Sequence, residues 1–350
     1  MSHPRVLFIL KSRDNYGEFY SCYGDNRSSG LANSARFVCD MLAASGVESK
    51  LVHVVDNNCI DKEVHKFRPT HVVIEALWVV PEKFHALTKL HPSVKWIIRT
   101  HSELPFLANE GVAVEWIKAY VLHPNVVIAA NSVKAVQDIR TIVRAFRPFW
   151  SSKFVDTKVV YLPNYYPVAK DKNSRFKNFE FNVACLGAIR PLKNQLIQAV
   201  AAIQYADENR LRLRFHVNSS RLEQGGANVY KNLVALFKDT PHELVCHDWM
   251  EHKDLLVFLR DMDLSLNVSF SETFNITASD AVSQDVPVVC SSEVAWTSPL
   301  CWAETTSAKD IVRKMKTVLS WHQGGLISRH NLSRLKKFSR LSRKTWLKYL

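Results

Sequence analysis

The sequence predicts two open α/β domains, each built on a largely parallel sheet and facing the other across a cleft. Three observations carry this. The chain has 350 residues, of which 47% are hydrophobic and 23% charged, and a single core rarely grows past about 250 residues. Short β-branched runs alternate with helical patterns along the length, as parallel sheets with crossover helices require. That alternation is interrupted once, over Tyr165 to Lys177, by Pro167 and a mixed charge cluster, which reads as a linker.

The expected domains are residues 1–165, residues 166–328 and a basic terminal helix over 329–350 that packs back on the first domain. In the first domain the strand-like runs are Val6 to Leu10, Leu51 to Val55, His71 to Glu75, Lys95 to Arg99, Val126 to Ala130 and Lys158 to Leu162. Between the first two, Leu31, Ala35, Val38, Leu42 and Ala43 recur at near-helical spacing and Gly46 supplies a stop, completing one βαβ unit. In the second domain the runs are Asn182 to Leu186, Arg212 to Val217, Glu243 to Cys246, Leu264 to Val268 and Pro287 to Cys290. In such sheets ligands sit beyond the carboxyl ends of the strands, so the residues just after each strand carry most of the functional information.

Composition narrows the class. No apolar run is long enough to span a bilayer, and Met1 to Leu10 lacks the h-region and cleavage site of a signal peptide. The seven cysteines contain no C-x-x-C pair, which suggests neither a zinc knuckle nor a disulfide framework. A cytoplasmic protein is expected, in the host cytoplasm if the source is viral, and the Asn-x-Ser/Thr matches read as accidental. The net charge of +13 is concentrated: no acidic residue follows Asp310, and eleven Lys and Arg residues lie beyond it, leaving +2 for all that precedes.

Two segments of the second domain point to anion chemistry. After the run Asn182 to Leu186 comes Gly187-Ala188-Ile189-Arg190-Pro191-Leu192-Lys193-Asn194, a strand-to-helix turn with two cations three residues apart. Fixed Arg and Lys groups stabilise a departing diphosphate without a proton transfer, although an ordinary basic loop has the same composition. The second segment, Ser271 to Ala281, places Glu272 after a strand and Asp280 eight positions later. A helix starting near Asn275 offers free N–H groups to a phosphate, with Phe274, Asn275 and Ile276 beside it. Asp280, further along, is placed to accept from the hydroxyls of a ribose. The plainer reading is an acidic first turn complementing the helix dipole.

Together these segments resemble the retaining GT-B glycosyltransferases of family 4, whose signatures are a Gly-Arg-x-x-x-x-Lys-Gly/Asn turn and a Glu-x7-Glu motif. Lys193 and Asn194 fall at the family offset from Gly187; Ala188 stands where the family has Arg, so Arg190 supplies that charge from two residues on. Asp280 replaces the second Glu. In the first domain, Arg27-Ser28-Ser29-Gly30-Leu31 occupies the place of the glycine-rich first loop, Thr100-His101-Ser102-Glu103 that of the strand-end histidine, and Leu162-Pro163-Asn164 that of the Pro-Asn-Gly turn.

The resemblance implies a GT-B fold of two Rossmann-like domains and transfer from a nucleotide sugar, UDP-sugar the expected donor, with retention and without a metal or other cofactor. Arg190 and Lys193 then clamp the pyrophosphate, Asp280 holds the ribose, Glu272 orients the donor sugar or its phosphate, Gly30 lets the first loop approach the donor, and His101 touches the sugar near the reacting carbon. A lone histidine at a strand end is also a common structural residue. Glu103 is the carboxylate for a general base if the enzyme inverts. Trp249, after another strand, lines the nucleobase pocket or belongs to the core.

The acceptor is read from the cationic tail. As a helix, Arg329 to Leu350 places Leu332, Leu335, Phe338, Trp346, Tyr349 and Leu350 on one arc and Lys336, Lys337, Arg340, Arg343, Lys344 and Lys348 opposite, an amphipathic and strongly cationic pattern. DNA fits such a face, the expected acceptor being a hydroxymethylated pyrimidine flipped from phage DNA and reached also by Arg27, Arg144 and Arg147. A membrane surface fits it as well, with Trp346, Tyr349 and the Phe146 to Trp150 run as interfacial aromatics. A solvated face without partner, and a sugar- or nucleotide-binding module without turnover, are the non-catalytic alternatives.

Overall fold

A computed structural model describes residues 3–12, 30–168, 180–320 and 324–350. Two compact units emerge: Met1–Pro167 together with Ser339–Leu350, and Val168–Phe338. Of the expected linker, residues 169–177 lie outside the described residues, as does Arg27.

The first unit holds a parallel six-stranded sheet in the order β2-β1-β3-β4-β5-β6. Its strands are β1 (Arg5–Lys11), β2 (Glu48–Val54), β3 (His71–Glu75), β4 (Lys95–Thr100), β5 (Val126–Ala130) and β6 (Val159–Tyr161). Side chains alternate between faces along a strand, and both faces here are covered. Leu7, Ile9, Ile74 and Trp96 pack on one side with the helix Val133–Phe146, through Val136, Ile139 and Val143. Val6, Phe8, Val73 and Ile97 pack on the other with Val38 and Leu42 of the helix Gly30–Ala43. This double burial is why the strands read as continuous apolar runs rather than alternating ones.

The terminal helix runs Gly324–Tyr349, starting five residues before the cationic stretch suggested. Its residues to Phe338 belong to the second unit and those from Ser339 to the first. Trp346 is fully buried in the first unit's core, 5.9 Å from Phe8 by ring centroids, and its Nε1 donates to Pro163 O at 2.8 Å. A buried indole needs such a partner. Leu335 is likewise fully buried, whereas Leu341 and Leu347 remain exposed.

The second unit has a parallel five-stranded sheet, β11-β10-β7-β8-β9, from β7 (Phe181–Ile189), β8 (Leu213–Leu222), β9 (Glu243–His247), β10 (Leu264–Asn267) and β11 (Val288–Cys290). The pairing of β7 with β8 shifts register around Ala188. Gly187 sits there with φ +109, a conformation that disfavours any side chain, and its N–H donates to Asn218 Oδ1 at 2.8 Å. Each sheet has one place where strand order reverses. It lies between β1 and β3 in the first unit and between β7 and β10 in the second, and crevices at such switch points are where open α/β sheets bind ligands.

Candidate active site

In the second unit, the backbone at the switch point is tied down before any functional side chain is placed. Arg190 leaves β7 extended, Pro191–Lys193 makes one tight helical turn, and Asn194 enters the helix Gln195–Glu208 with φ 59. Asn tolerates this left-handed conformation better than most residues. The Asn194 side-chain amide donates to Val268 O at 3.0 Å and Thr305 O at 2.8 Å, while Phe270 N–H donates to Leu192 O at 2.9 Å. The exits of β7 and β10 are thereby locked together, and Lys193 Nζ donates to Glu272 Oε1 across them.

Glu272 also accepts from Asn275 Nδ2 at 3.2 Å. Asn275 adopts φ 62 and caps the helix Ile276–Ser283, its Oδ1 accepting from Ala278 N–H at 2.9 Å. Phe274 is buried, stacked on Phe338 at 5.0 Å, and its carbonyl accepts from Trp296 Nε1 at 2.7 Å. Ile276 is half-buried. Asp280 is wholly buried, and its Oδ1 meets His252 Nε2 at 2.8 Å. Burial alone depresses a histidine's pKa, but the hydrogen bond and charge of Asp280 outweigh it and hold His252 above its ordinary 6.5.

Arg190 Nη1 lies 3.2 Å from Glu223 Oε2, and Arg221 Nη2 lies 2.6 Å from Glu223 Oε1. The Arg221 guanidinium stacks 4.7 Å from the Trp249 ring centroid, within cation–π range. The turn carrying Glu223 presses the helix Gly226–Phe237 onto β7: a Cβ on Gly226 would sit 2.0 Å from Ile189 O. The structure thus brings Lys193, Glu272 and Asn275 into one cluster, joins Arg190 to Trp249 through Glu223 and Arg221, and gives Asp280 a histidine partner.

The first unit carries a second polar cluster at the carboxyl ends of its strands. Glu75 closes β3 and Arg99 lies near the end of β4, both fully buried and joined by Arg99 Nη1 at 3.0 Å from Oε1 and 3.1 Å from Oε2. Arg99 also donates to Asn164 Oδ1 at 2.5 Å and Leu162 O at 3.1 Å. His101 Nε2 hydrogen-bonds Glu75 Oε2, and His101 Nδ1 lies 3.4 Å from Asn131 Nδ2. Desolvation opposes the ionised carboxylate, yet Arg99 and then His101 hold Glu75 below its ordinary pKa. His101 is lowered by burial and by the Arg99 charge, against the opposing pull of Glu75. Glu75 thus lies between the Arg99 guanidinium and the His101 imidazole, both of which contact its carboxylate.

Glu103 is buried, its Oε1 accepting from Ser132 Oγ at 2.9 Å and its Oε2 lying 3.1 Å from Lys134 Nζ, so its charge serves the start of the helix Val133–Phe146. Gly30 begins the helix Gly30–Ala43, and among the described residues nothing lies within 4 Å of an added Cβ. Arg144 lies 3.9 Å from Asp156 Oδ1, and the Arg147 guanidinium stacks 4.5 Å from Phe146. Lys337, Arg340 and Lys344 are exposed on the terminal helix. The helix bearing Arg144 packs on the opposite face of the first unit's sheet from Trp346. Arg144 and Arg147 therefore do not form one patch with Arg340 and Lys344.

Sequence reasoning missed Glu75, Arg99, Arg221, Glu223 and His252. Glu75 and Arg99 close apolar strands, and a charged residue ending such a run is a signal that could have been read. The Arg190 partner of Glu223 and the His252 partner of Asp280 come from other elements and leave no local trace. Among the described residues no group of three or more His, Cys, Asp or Glu is placed to hold a metal ion, and no helix is long and apolar enough to cross a membrane.

No family model matches the sequence, and no curated protein matches it. The fold does match solved structures. The α,α-trehalose-phosphate synthase (UDP-forming) of Burkholderia vietnamiensis is 11% identical with TM-score 0.69, over 99% of this chain and 97% of that one. Sucrose-phosphate synthase of Thermosynechococcus elongatus is 13% identical with TM-score 0.68, covering 99% and 98%. HepE of Anabaena, solved with UDP and glucose, is 11% identical with TM-score 0.63, covering 99% of each chain. At such identity the likeness is one of fold, and the fold is GT-B.

Proposed function

We propose that this protein is a glycosyltransferase that moves a sugar from a UDP-sugar to a hydroxyl acceptor. The observation that carries the reading is the meeting of Lys193 and Glu272 across the β7–β10 switch point, directly before the Asn275-capped helix. A cation and a carboxylate beside a helix N-terminus suit a sugar diphosphate: the cation and helix end face the phosphates, and the carboxylate faces sugar hydroxyls. Two of the solved structures that share this fold bear UDP in their descriptions, one as a product and one as a bound ligand, which supports UDP as the carrier.

In this reading the bond between the anomeric carbon and the diphosphate oxygen breaks, the acceptor oxygen bonds to the same carbon, and its proton passes to the departing phosphate on the same face, giving retention. Lys193 and Arg190 stabilise the charge on the leaving diphosphate. Asp280, fixed by His252, holds the ribose, and Trp249 stands at the nucleobase. No metal is assigned a role.

For the acceptor, the reading is a 5-hydroxymethylpyrimidine in phage DNA. It rests on the exposed row Lys336, Lys337, Arg340, Arg343, Lys344 and Lys348 along the terminal helix, which provides phosphate contacts without sequence readout. The test offers UDP-, GDP- and ADP-sugars with hydroxymethylated DNA, unmodified DNA and anionic liposomes, and detects transferred sugar by mass spectrometry. Sugar on modified DNA, from the UDP donor, is the expected result. Sugar on lipid alone would replace the acceptor by a membrane one, and nucleotide binding with neither hydrolysis nor transfer would overturn the enzyme reading.

A further inference from the structure

The second unit holds two histidines outside the Lys193–Glu272 cluster. His216 lies in β8 and His247 ends β9, strands that pair in parallel with Asn218 opposite His247. His216 is buried and His247 half-buried. Their ring planes are 11° from parallel with centroids 5.1 Å apart, and His216 Nδ1 lies 2.9 Å from His247 Nε2. Two ring nitrogens this close form a hydrogen bond when one carries a proton and the other a lone pair.

The direction of that bond is set from the far side of His216. Its Nε2 lies 3.0 Å from Asn182 Oδ1 in β7, and the Asn182 amide is oriented by its Nδ2, which donates to Glu180 O at 3.0 Å. An amide oxygen accepts, so His216 carries its proton on Nε2 and its lone pair on Nδ1. His247 then donates from Nε2. Both nitrogens of His216 are thereby engaged, and a second proton on its Nδ1 would set two N–H groups against each other.

The surroundings do not favour that proton. The helix His252–Leu259 turns Phe258, an uncharged ring, onto both imidazoles at 5.4 and 4.7 Å by centroids. From β8, Arg214 adds positive charge near the pair, with its carboxylate partners Glu180 and Glu243 at 3.5 and 3.0 Å. Next to β7, Asp263 Oδ2 accepts from Asn182 N–H at 2.9 Å. Burial, then the charges of His247 and Arg214, push His216 down to about 3, and burial and Arg214 lower His247 as well.

We infer that the His216–His247 pair is an acid-sensitive latch of the second unit, joining β9 to β8 and to Asn182 of β7 while both rings are neutral and releasing them when His216 is protonated. The inference stands apart from the proposed sugar transfer. The latch adjoins the turn before Arg190: Asn218, two residues after His216 and so on the same strand face, is the side chain that accepts from Gly187 N–H. Because both histidines bind protons more readily once the strands separate, the latch is fully closed above the ordinary histidine value of 6.5 and weakens as pH falls below it. Its direction is opposite to that of His252, whose pKa is raised.

Two measurements on the full-length protein decide. In 15N NMR of histidine-labelled protein at pH 7, with signals assigned by their loss in His216→Gln and His247→Gln, both rings should be protonated on Nε2 and bare on Nδ1. An Nδ1-protonated His216, or an imidazolium at either position, overturns the inference. Hydrogen exchange read by mass spectrometry on peptides covering β8 and β9, corrected for the intrinsic rate, gives the opening. Wild-type protection should fall by up to about tenfold per pH unit from pH 6.5 to pH 5, the effect of one proton taken up on opening, and His216→Gln should fall less steeply. Since both proteins keep His252, its opposite contribution cancels in the comparison, and equal slopes overturn the latch. If His216→Gln does not fold, the wild-type tautomers and slope decide, a flat slope or the other tautomer overturning it.

Discussion

Lys193 donates to the carboxylate of Glu272 across the exits of β7 and β10, so each strand flanking the second unit's switch point contributes one charge of a largely buried ion pair, with side chains 15% and 8% exposed. The pair is held by the backbone on both sides: Asn194 ties the β7 exit to Val268, and Asn275 fixes the start of the helix after Glu272. The two charges neutralise one another; under the proposed function, an arriving diphosphate would exchange one anionic partner of Lys193 for another.

Lys193→Ala should therefore lower kcat for UDP-sugar hydrolysis or transfer by about 10²–10³-fold, the usual cost of deleting one fixed group that stabilises developing charge. Glu272→Ala should also abolish most turnover. Circular dichroism of both variants should remain that of the folded protein, and turnover near the wild-type rate in Lys193→Ala would remove this residue from the mechanism.

The His252–Asp280 pair makes a pH-dependent contribution to stability. The folded-state pKa of His252 is raised above its ordinary 6.5, so its contribution is fully present below about pH 6.5 and is lost as pH rises through the folded value. Urea unfolding of wild type and His252→Asn should accordingly differ more at pH 6 than at pH 8.5. A gap that widens with increasing pH would contradict the pairing.

Gly226→Ala places a Cβ 2.0 Å from Ile189 O, a clash with backbone that no side-chain rotation relieves. Overpacking of this kind costs about 1–3 kcal/mol. Because Ile189 precedes Arg190, the displacement should reach the donor cluster as well. Differential scanning fluorimetry should show a lowered Tm, and calorimetry a weakened affinity for UDP.

Trp346→Ala should destabilise the first unit by about 3–5 kcal/mol, the range for emptying a buried aromatic site, and it leaves Pro163 O without its indole donor. Chemical denaturation measures the loss. Lys337→Ala, Arg340→Ala and Lys344→Ala remove exposed side chains from the same helix and should leave Tm nearly unchanged. If each touches a DNA phosphate, the triple variant should flatten the slope of log affinity against log salt by about 2.7, at 0.9 per contact. Anisotropy titrations at several salt concentrations read this directly, and an unchanged slope would remove the helix from the DNA reading.

The inner strands were legible because they are buried on both faces: Val6 to Leu10 or Val126 to Ala130 have no polar side to confuse the pattern, and each expected run appears as a strand. The helix start at Asn275 was legible because an Asn before a helical stretch has a local reason to cap it. The terminal helix was read as starting at Arg329, since the cationic pattern begins there, whereas the helix begins at Gly324. Glycine pairs are poor helix formers, so local propensity does not announce a start there.

By itself, the sequence determined the two α/β units, the location of the positive charge and the spacing that sets Lys193 and Glu272 after strands and Asp280 along the following helix, because periodicity and motif spacing are local properties of the chain. Only the tertiary structure decided which charges meet. Glu75 and Arg99 are 24 residues apart and Lys193 and Glu272 are 79 apart; such pairs are set by sheet order and register, which bring distant strand ends to one edge. The partners of Asp280, Arg190 and His101 belong to that same non-local information.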